Sequence, residues 1–156
     1  MRVAATLRVN GTDYPVELDP HISLLRAVRE HVGLIGAKEG CDDSECGACM
    51  MLLDGQPVNS CSYLALQAEG REIMTVEGLA PPGELGPLQQ AFLEHGGVQC
   101  GFCTPGMLIS AIALLARNPS PSDDEVRLAL SGNLCRCTGY EGIVQAVLAA
   151  AAADGG

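Results

Sequence analysis

Gly40-Cys41-Asp42-Asp43-Ser44-Glu45-Cys46-Gly47-Ala48-Cys49 places three cysteines at intervals of four and two residues inside a run without hydrophobic periodicity. Such a stretch reads as a loop, because small and polar residues have little to bury and glycine permits tight backbone paths. Cys61 follows after eleven further residues, and a second group comprises Cys100, Cys103, Cys135 and Cys137. The eight cysteines therefore fall into two sets of four, the count that two tetrathiolate metal centres require.

Composition bounds the answer. A chain of 156 residues is one large or two small domains, and the cysteine grouping favours two. Hydrophobic residues make up 47% but aromatics only 3%, so the core is expected to be built from Ala, Leu, Val and Ile. No run approaches the ~20 apolar residues of a membrane span. Residues 1–8 lack the apolar centre of a signal peptide, and Arg8 interrupts them, so a cytoplasmic location with reduced thiols is expected. A formal charge of −10 argues against nucleic acid as a partner.

Two alternating segments, residues 6–9 and 14–18, flank Asn10-Gly11, a pair that tolerates the positive φ angles of a tight hairpin, with Leu7, Val9, Val16 and Leu18 as candidate core positions. Ser23 then stands as N-cap to a helix in which Leu24, Ala27, Val28 and His31 recur at helical spacing, with Gly33 as the stop and His31 read as a surface residue. After the cysteine loop, Asp54-Gly55 marks a second hairpin that returns Cys61 toward the first three cysteines. Met50 and Met51 read as strand core rather than ligands. A short helix over 62–68 and a strand over 72–76 complete what reads as a β-grasp domain over residues 1–77.

Two prolines and two glycines around residues 78–83 mark a linker, and from 84 to 156 the periodicity is helical. Leu85, Leu88, Ala91 and Phe92 share one face of a first helix over 85–95. Thr104 as N-cap and Pro105 at the first helical position introduce a second, apolar on nearly every side and therefore expected to lie centrally. Pro119 and Pro121 break it, and Ser122-Asp123-Asp124-Glu125 is a capping box for a third, running to Leu130. A fourth starts near Glu141, with fraying expected from residue 149 onward. Antiparallel packing of these helices would bring Cys100, Cys103, Cys135 and Cys137 together. The expected fold class is α+β, a β-grasp domain followed by a four-helix domain.

The x4 and x2 intervals of the first set match the plant-type ferredoxin spacing, in which one loop wraps a [2Fe-2S] cluster. Gly40, Gly47 and Ala48 are small enough to let backbone N–H groups approach sulfur. The second set taken alone leaves structural zinc open. A disulfide framework is weaker, since the chain is long and apolar enough not to need staples. No nucleophile–base pair, phosphate loop or paired acid and base is visible, so the chain is not expected to perform substrate chemistry itself.

Together, Cys41-x4-Cys46-Gly47-Ala48-Cys49-x11-Cys61, Gln99-Cys100-Gly101-Phe102-Cys103-Thr104-Pro105-Gly106 and Gly132-Asn133-Leu134-Cys135-Arg136-Cys137-Thr138-Gly139-Tyr140 resemble the small iron–sulfur subunit of the xanthine oxidase, or molybdenum hydroxylase, family. The likeness extends over nearly the whole chain. It implies a plant-type ferredoxin-like domain on residues 1–77 and a helical [2Fe-2S] domain on 84–156. One cluster would be held by Cys41, Cys46, Cys49 and Cys61, the other by Cys100, Cys103, Cys135 and Cys137. It further implies a large partner subunit with a molybdopterin cofactor and a medium partner with FAD, in an (LMS)2 heterohexamer. Electrons would pass singly from the molybdenum through the helical-domain cluster and then the ferredoxin-like cluster to the flavin. Gln99 and Cys137 match positions that contact the pterin. A zinc module for assembly and a free-standing ferredoxin are the alternatives. Many relatives have Cys-Thr-Val where this chain has Cys49-Met50-Met51, a change expected to alter packing without removing a ligand.

Overall fold

A computed structural model describes residues 1–154; Gly155 and Gly156, the end of the last expected helical stretch, lie outside the described residues. β1 (Val3–Val9) and β2 (Thr12–Leu18) form an antiparallel hairpin in which Val9 pairs with Thr12. Asn10 at φ 51° and Gly11 at φ 77° both sit in the left-handed region that a two-residue turn of this kind requires. Ala5, Leu7, Val9 and Leu18 are buried, and Val16 packs against them half-buried.

β3 (Met50–Leu53) and β4 (Gln56–Asn59) form the second hairpin, turned at Asp54 and Gly55 with φ 49° and 78°. β5 (Glu72–Met74) then enters between the hairpins, parallel to β1 and antiparallel to β3, giving the order β2-β1-β5-β3-β4. Its Ile73 faces both Val9 and Leu53 and is fully buried. Under the sheet lies α1 (Leu24–Arg26), which runs on into a π-helical segment, Ala27–Val32. Ser23 Oγ accepts from Arg26 N at 3.3 Å, and Gly33 at φ 85° ends the run. The expected α-helix is thus largely π-wound, a difference the spacing of Leu24, Ala27 and Val28 does not reveal because all three are buried within little more than one turn. His31 is exposed. Two hairpins closed over one helical run make the β-grasp unit.

The second half holds α2 (Pro87–Glu94), α3 (Thr104–Arg117), α4 (Asp123–Ala129) and α5 (Glu141–Asp154). Three boundaries differ from expectation. Leu85 is exposed ahead of α2, because Gly86 is the cap and Pro87 the first helical residue, and a residue before proline is disfavoured in a helix. Thr104 is not the cap of α3: Met107 N already bonds to the Cys103 carbonyl at 3.0 Å, so the helix begins one residue earlier and Cys103 takes the cap position. α5 does not fray at 149, since Ala150 and Ala151 are buried and hold it to the core. The capping box on α4 forms as expected, with Glu125 N on Ser122 Oγ at 3.3 Å and Ser122 N on Glu125 Oε2 at 2.7 Å.

α3 is central. Met107, Leu108, Ala111 and Leu114 pack toward α2, α4 and α5. Its other side, Ile109 and Ala113, packs with Leu52 of β3, so the sheet and the helices share a face. Fully burying such a side chain contributes about 1.5–3 kcal/mol. The connection is tied down at its start: Asn10 exchanges side-chain bonds with Thr75, and Glu77 Oε1 accepts from Gly36 N at 2.6 Å. Val76–Gly78 form a 3₁₀ turn there, inside the stretch that composition reads as leading into the linker.

Candidate metal centres

The first cysteine loop is braced before it reaches a thiol. Arg29 donates to the carbonyls of Ile35 at 2.7 Å and Ala37 at 2.6 Å, and Lys38 Nζ to those of Ile35 and Gly36 at 3.0 and 2.8 Å. Lys38 N donates to the Ala48 carbonyl at 3.0 Å and closes the loop's base. At the apex Asp42 and Ser44 adopt φ 59° and 68°, which turn successive N–H groups inward. Cys41 Sγ accepts from the N–H groups of Glu45 and Cys46 at 3.3 Å and of Asp43 at 3.5 Å. The Asp43 side chain pushes this thiol up, but the N–H groups of Asp43, Cys46 and Glu45 outweigh it and hold Cys41 below the usual thiol range.

Cys49 and Cys61 are buried side by side at the loop's other wall. Ser60 Oγ donates to the Cys49 carbonyl at 2.6 Å, and the Ser44 hydroxyl lies 4.0 Å from Cys61 Sγ, so the end of β4 is latched to the loop. Burial, with the neighbouring Cys61 thiol adding to it, pushes Cys49 up to about 11. Gly40 is required where it stands: a Cβ there would lie 2.7 Å from Cys46 Sγ. Met51 is fully buried in the sheet core and Met50 half-buried beside α3, which accounts for both as packing residues.

The second set lies at the helix ends, Cys100 and Cys103 leading into α3, Cys135 and Cys137 between α4 and α5. The fold sets Cys103 beside Cys135 and Cys137 beside Cys100. Burial first, and then Cys135, pushes Cys103 up to about 12, while Cys137 is raised by its neighbour Cys100. Partial burial also acts to raise Cys135, yet the Thr138 hydroxyl at 3.1 Å and Thr138 N–H at 3.4 Å more than offset it and hold that thiol low. Tyr140, at φ 70°, places its hydroxyl 2.9 Å from Cys135 N to accept its bond. Gln99 and Arg136 are exposed, as are Asp42, Asp43 and Glu45. Asp42 nevertheless stands 3.6 Å from Arg26, whose guanidinium also bonds Glu39.

The two sets abut. Leu134 N donates to the Cys46 carbonyl at 2.9 Å, and buried Asn133 bonds the Gly47 carbonyl at 3.2 Å while accepting from Ser110 Oγ at 2.7 Å. Sequence reading misses Asn133, Thr138, Ser60 and the Arg29–Lys38 brace. Only proximity to cysteine marks the first three, and nothing local marks the brace.

Among the described residues, no three His, Cys, Asp or Glu side chains converge as a single bound ion needs. Four thiols in each set are the donors that a two-iron cluster takes, and the three backbone N–H groups turned onto Cys41 Sγ fit the anionic sulfur of such a centre. The penalty on buried thiolates fits as well, because a coordinating metal deprotonates a thiol outright.

Comparison with known proteins adds independent findings. Residues 7–79 match the family described as 2Fe-2S iron-sulfur cluster binding domain, and residues 75–148 the family described as [2Fe-2S] binding domain. The chain is 49% identical to the nicotinate dehydrogenase small FeS subunit of Eubacterium barkeri, covering 94% of this chain and 93% of that one. It is 52% identical to the nicotine 6-hydroxylase small subunit of Paenarthrobacter nicotinovorans, over 94% and 88% of the two chains. Among solved structures, quinoline 2-oxidoreductase from Pseudomonas putida 86 contains a chain that superimposes with a TM-score of 0.94 at 49% identity, over 97% and 95% of the two chains. Aldehyde oxidoreductase from Desulfovibrio desulfuricans ATCC 27774 superimposes at 0.92 and 42% identity, with 96% of this chain matching only 17% of a longer polypeptide. No helix among the described residues is long and apolar enough to cross a membrane.

Proposed function

Because this chain belongs to the iron–sulfur small subunits of the molybdenum hydroxylase, or xanthine oxidase, family, we propose that it carries electrons within an oxidoreductase complex whose substrate chemistry takes place on another subunit. Cys41, Cys46, Cys49 and Cys61 hold one [2Fe-2S] cluster and Cys100, Cys103, Cys135 and Cys137 the other. When bound, these clusters supply one-electron transfer. Residues 1–77 and 84–156 are the two cluster domains, joined by 78–83.

The chain's own groups do the rest. The N–H groups of Asp43, Glu45 and Cys46 stabilise negative charge on Cys41, and Thr138 does the same for Cys135. Donors to ligand sulfur favour the reduced state of a centre. Burial of Cys49 and Cys61 keeps water from one side of the first centre. Exposed Gln99 and Cys137 face a molybdopterin cofactor on a large partner, so electrons enter at the helical half and leave from the ferredoxin-like half toward FAD on a medium partner. The assembly is an (LMS)2 heterohexamer in the cytoplasm.

The observation that carries this reading is the match to small FeS subunits over 94% of this chain at 49% identity. Affinity purification of the tagged chain from its native host tests it. Molybdenum and flavin in the purified complex are the expected result, and a chain recovered alone, with neither, would mark a free-standing ferredoxin.

A further inference from the structure

Phe102 is carried between Cys100 and Cys103, yet its ring reaches the other cysteine set. A Cβ built on Gly40 would stand 2.7 Å from Cys46 Sγ and 3.5 Å from Phe102 Cε1, so sulfur and ring flank one point. The Phe102 side chain is large and apolar yet 45% exposed. It belongs to no hydrophobic core cluster among the described residues, so core packing does not account for its apolar character.

We infer that the Phe102 ring forms a solvent shield over Cys46, by which the helical half of the chain helps set the reduction potential of the ferredoxin-like centre. The inference rests on the reading of Cys41, Cys46, Cys49 and Cys61 as [2Fe-2S] ligands. Reduction adds an electron to a centre already made anionic by four thiolates. Water at the sulfur stabilises that added charge, and apolar cover withholds the stabilisation. The cover also slows the approach of water and chelators to the thiolate.

The test uses the full chain carrying its centres, with each signal of the reduced protein assigned through Cys46→Ser and Cys137→Ser. In Phe102→Ala the ferredoxin-like centre is expected to reduce more easily by about tenfold in equilibrium constant, which is about 59 mV for one electron. It should also lose iron to a chelator several-fold faster, while Phe102→Leu keeps both properties near wild type. If Phe102→Ala does not fold, Phe102→Val, which removes less of the side chain, supplies the same readout. Unchanged potential and iron release at the ferredoxin-like centre, or a change confined to the helical one, would overturn the shield. Wild-type protein without iron and sulfide would instead overturn the ligand assignment beneath it.

Discussion

The amide of Leu134 donates to the carbonyl of Cys46 at 2.9 Å, which joins the residue before one candidate ligand directly to the backbone of another. Beside it, Asn133 connects Ser110 on α3 to the Gly47 carbonyl. The two cysteine sets therefore lie on one seam rather than in two independent lobes.

Asn133 is 3% exposed, so Asn133→Ala leaves the Ser110 hydroxyl without its partner and the Gly47 carbonyl with the Met50 N–H alone. Stranding buried polar groups costs about 1–3 kcal/mol. In a chain of this size that lowers the unfolding temperature by about 2–4 °C per kcal/mol, measured by calorimetry or circular dichroism. Ser110→Ala, which leaves the Gly47 bond in place, should cost less. Equal or negligible losses would contradict the bridging role.

Gly106 tests the same seam sterically. Glycine to alanine inside a helix ordinarily gains about 1 kcal/mol. Here an added Cβ would run into the Gly47 carbonyl, and forced overpacking costs about 1–3 kcal/mol. Gly106→Ala should therefore be less stable than wild type in thermal unfolding, despite its better helix propensity. A rise in unfolding temperature would show that the two segments can separate freely.

Thiolate character is unequal across the metal-free chain. Alkylation consumes the thiolate, so a thiol held below its usual pKa reacts at lower pH than one raised above it. Cys41, lowered by three N–H donors against the pull of Asp43, should be modified by iodoacetamide near neutral pH well before Cys49, raised to about 11, or Cys103, raised to about 12. Peptide mapping by mass spectrometry at several pH values gives the order. Simultaneous modification of all three would contradict it.

How far the sequence discloses this structure depends on the range of the interaction. Asn10-Gly11, Asp54-Gly55, Ser23 and the Ser122–Glu125 box are legible because each satisfies its own neighbours within a few residues. The insertion of β5 between the hairpins is not, since it depends on Ile73 meeting Val9 and Leu53 far away in the chain. Thr104 misleads by one residue because Thr-Pro satisfies the local signature of a helix start even where Cys103 already occupies the cap position. Cysteine spacing separates two sets, but which thiol meets which depends on how α3 and the loop between α4 and α5 approach.

Cys137→Ser separates the roles of the two centres. The helical-half signal should be lost or strongly altered in electron paramagnetic resonance of the reduced protein, while the ferredoxin-like signal remains reducible by dithionite. In the assembled enzyme, substrate should then no longer reduce the flavin. Flavin reduction at the wild-type rate would reverse the proposed order of centres.

The central claim is that the two cysteine sets each hold a two-iron cluster, and metal and acid-labile sulfide analysis of the purified chain tests it most directly. The account predicts about four irons and about four sulfides per chain. Stoichiometric zinc without sulfide, in a colourless protein, would contradict it.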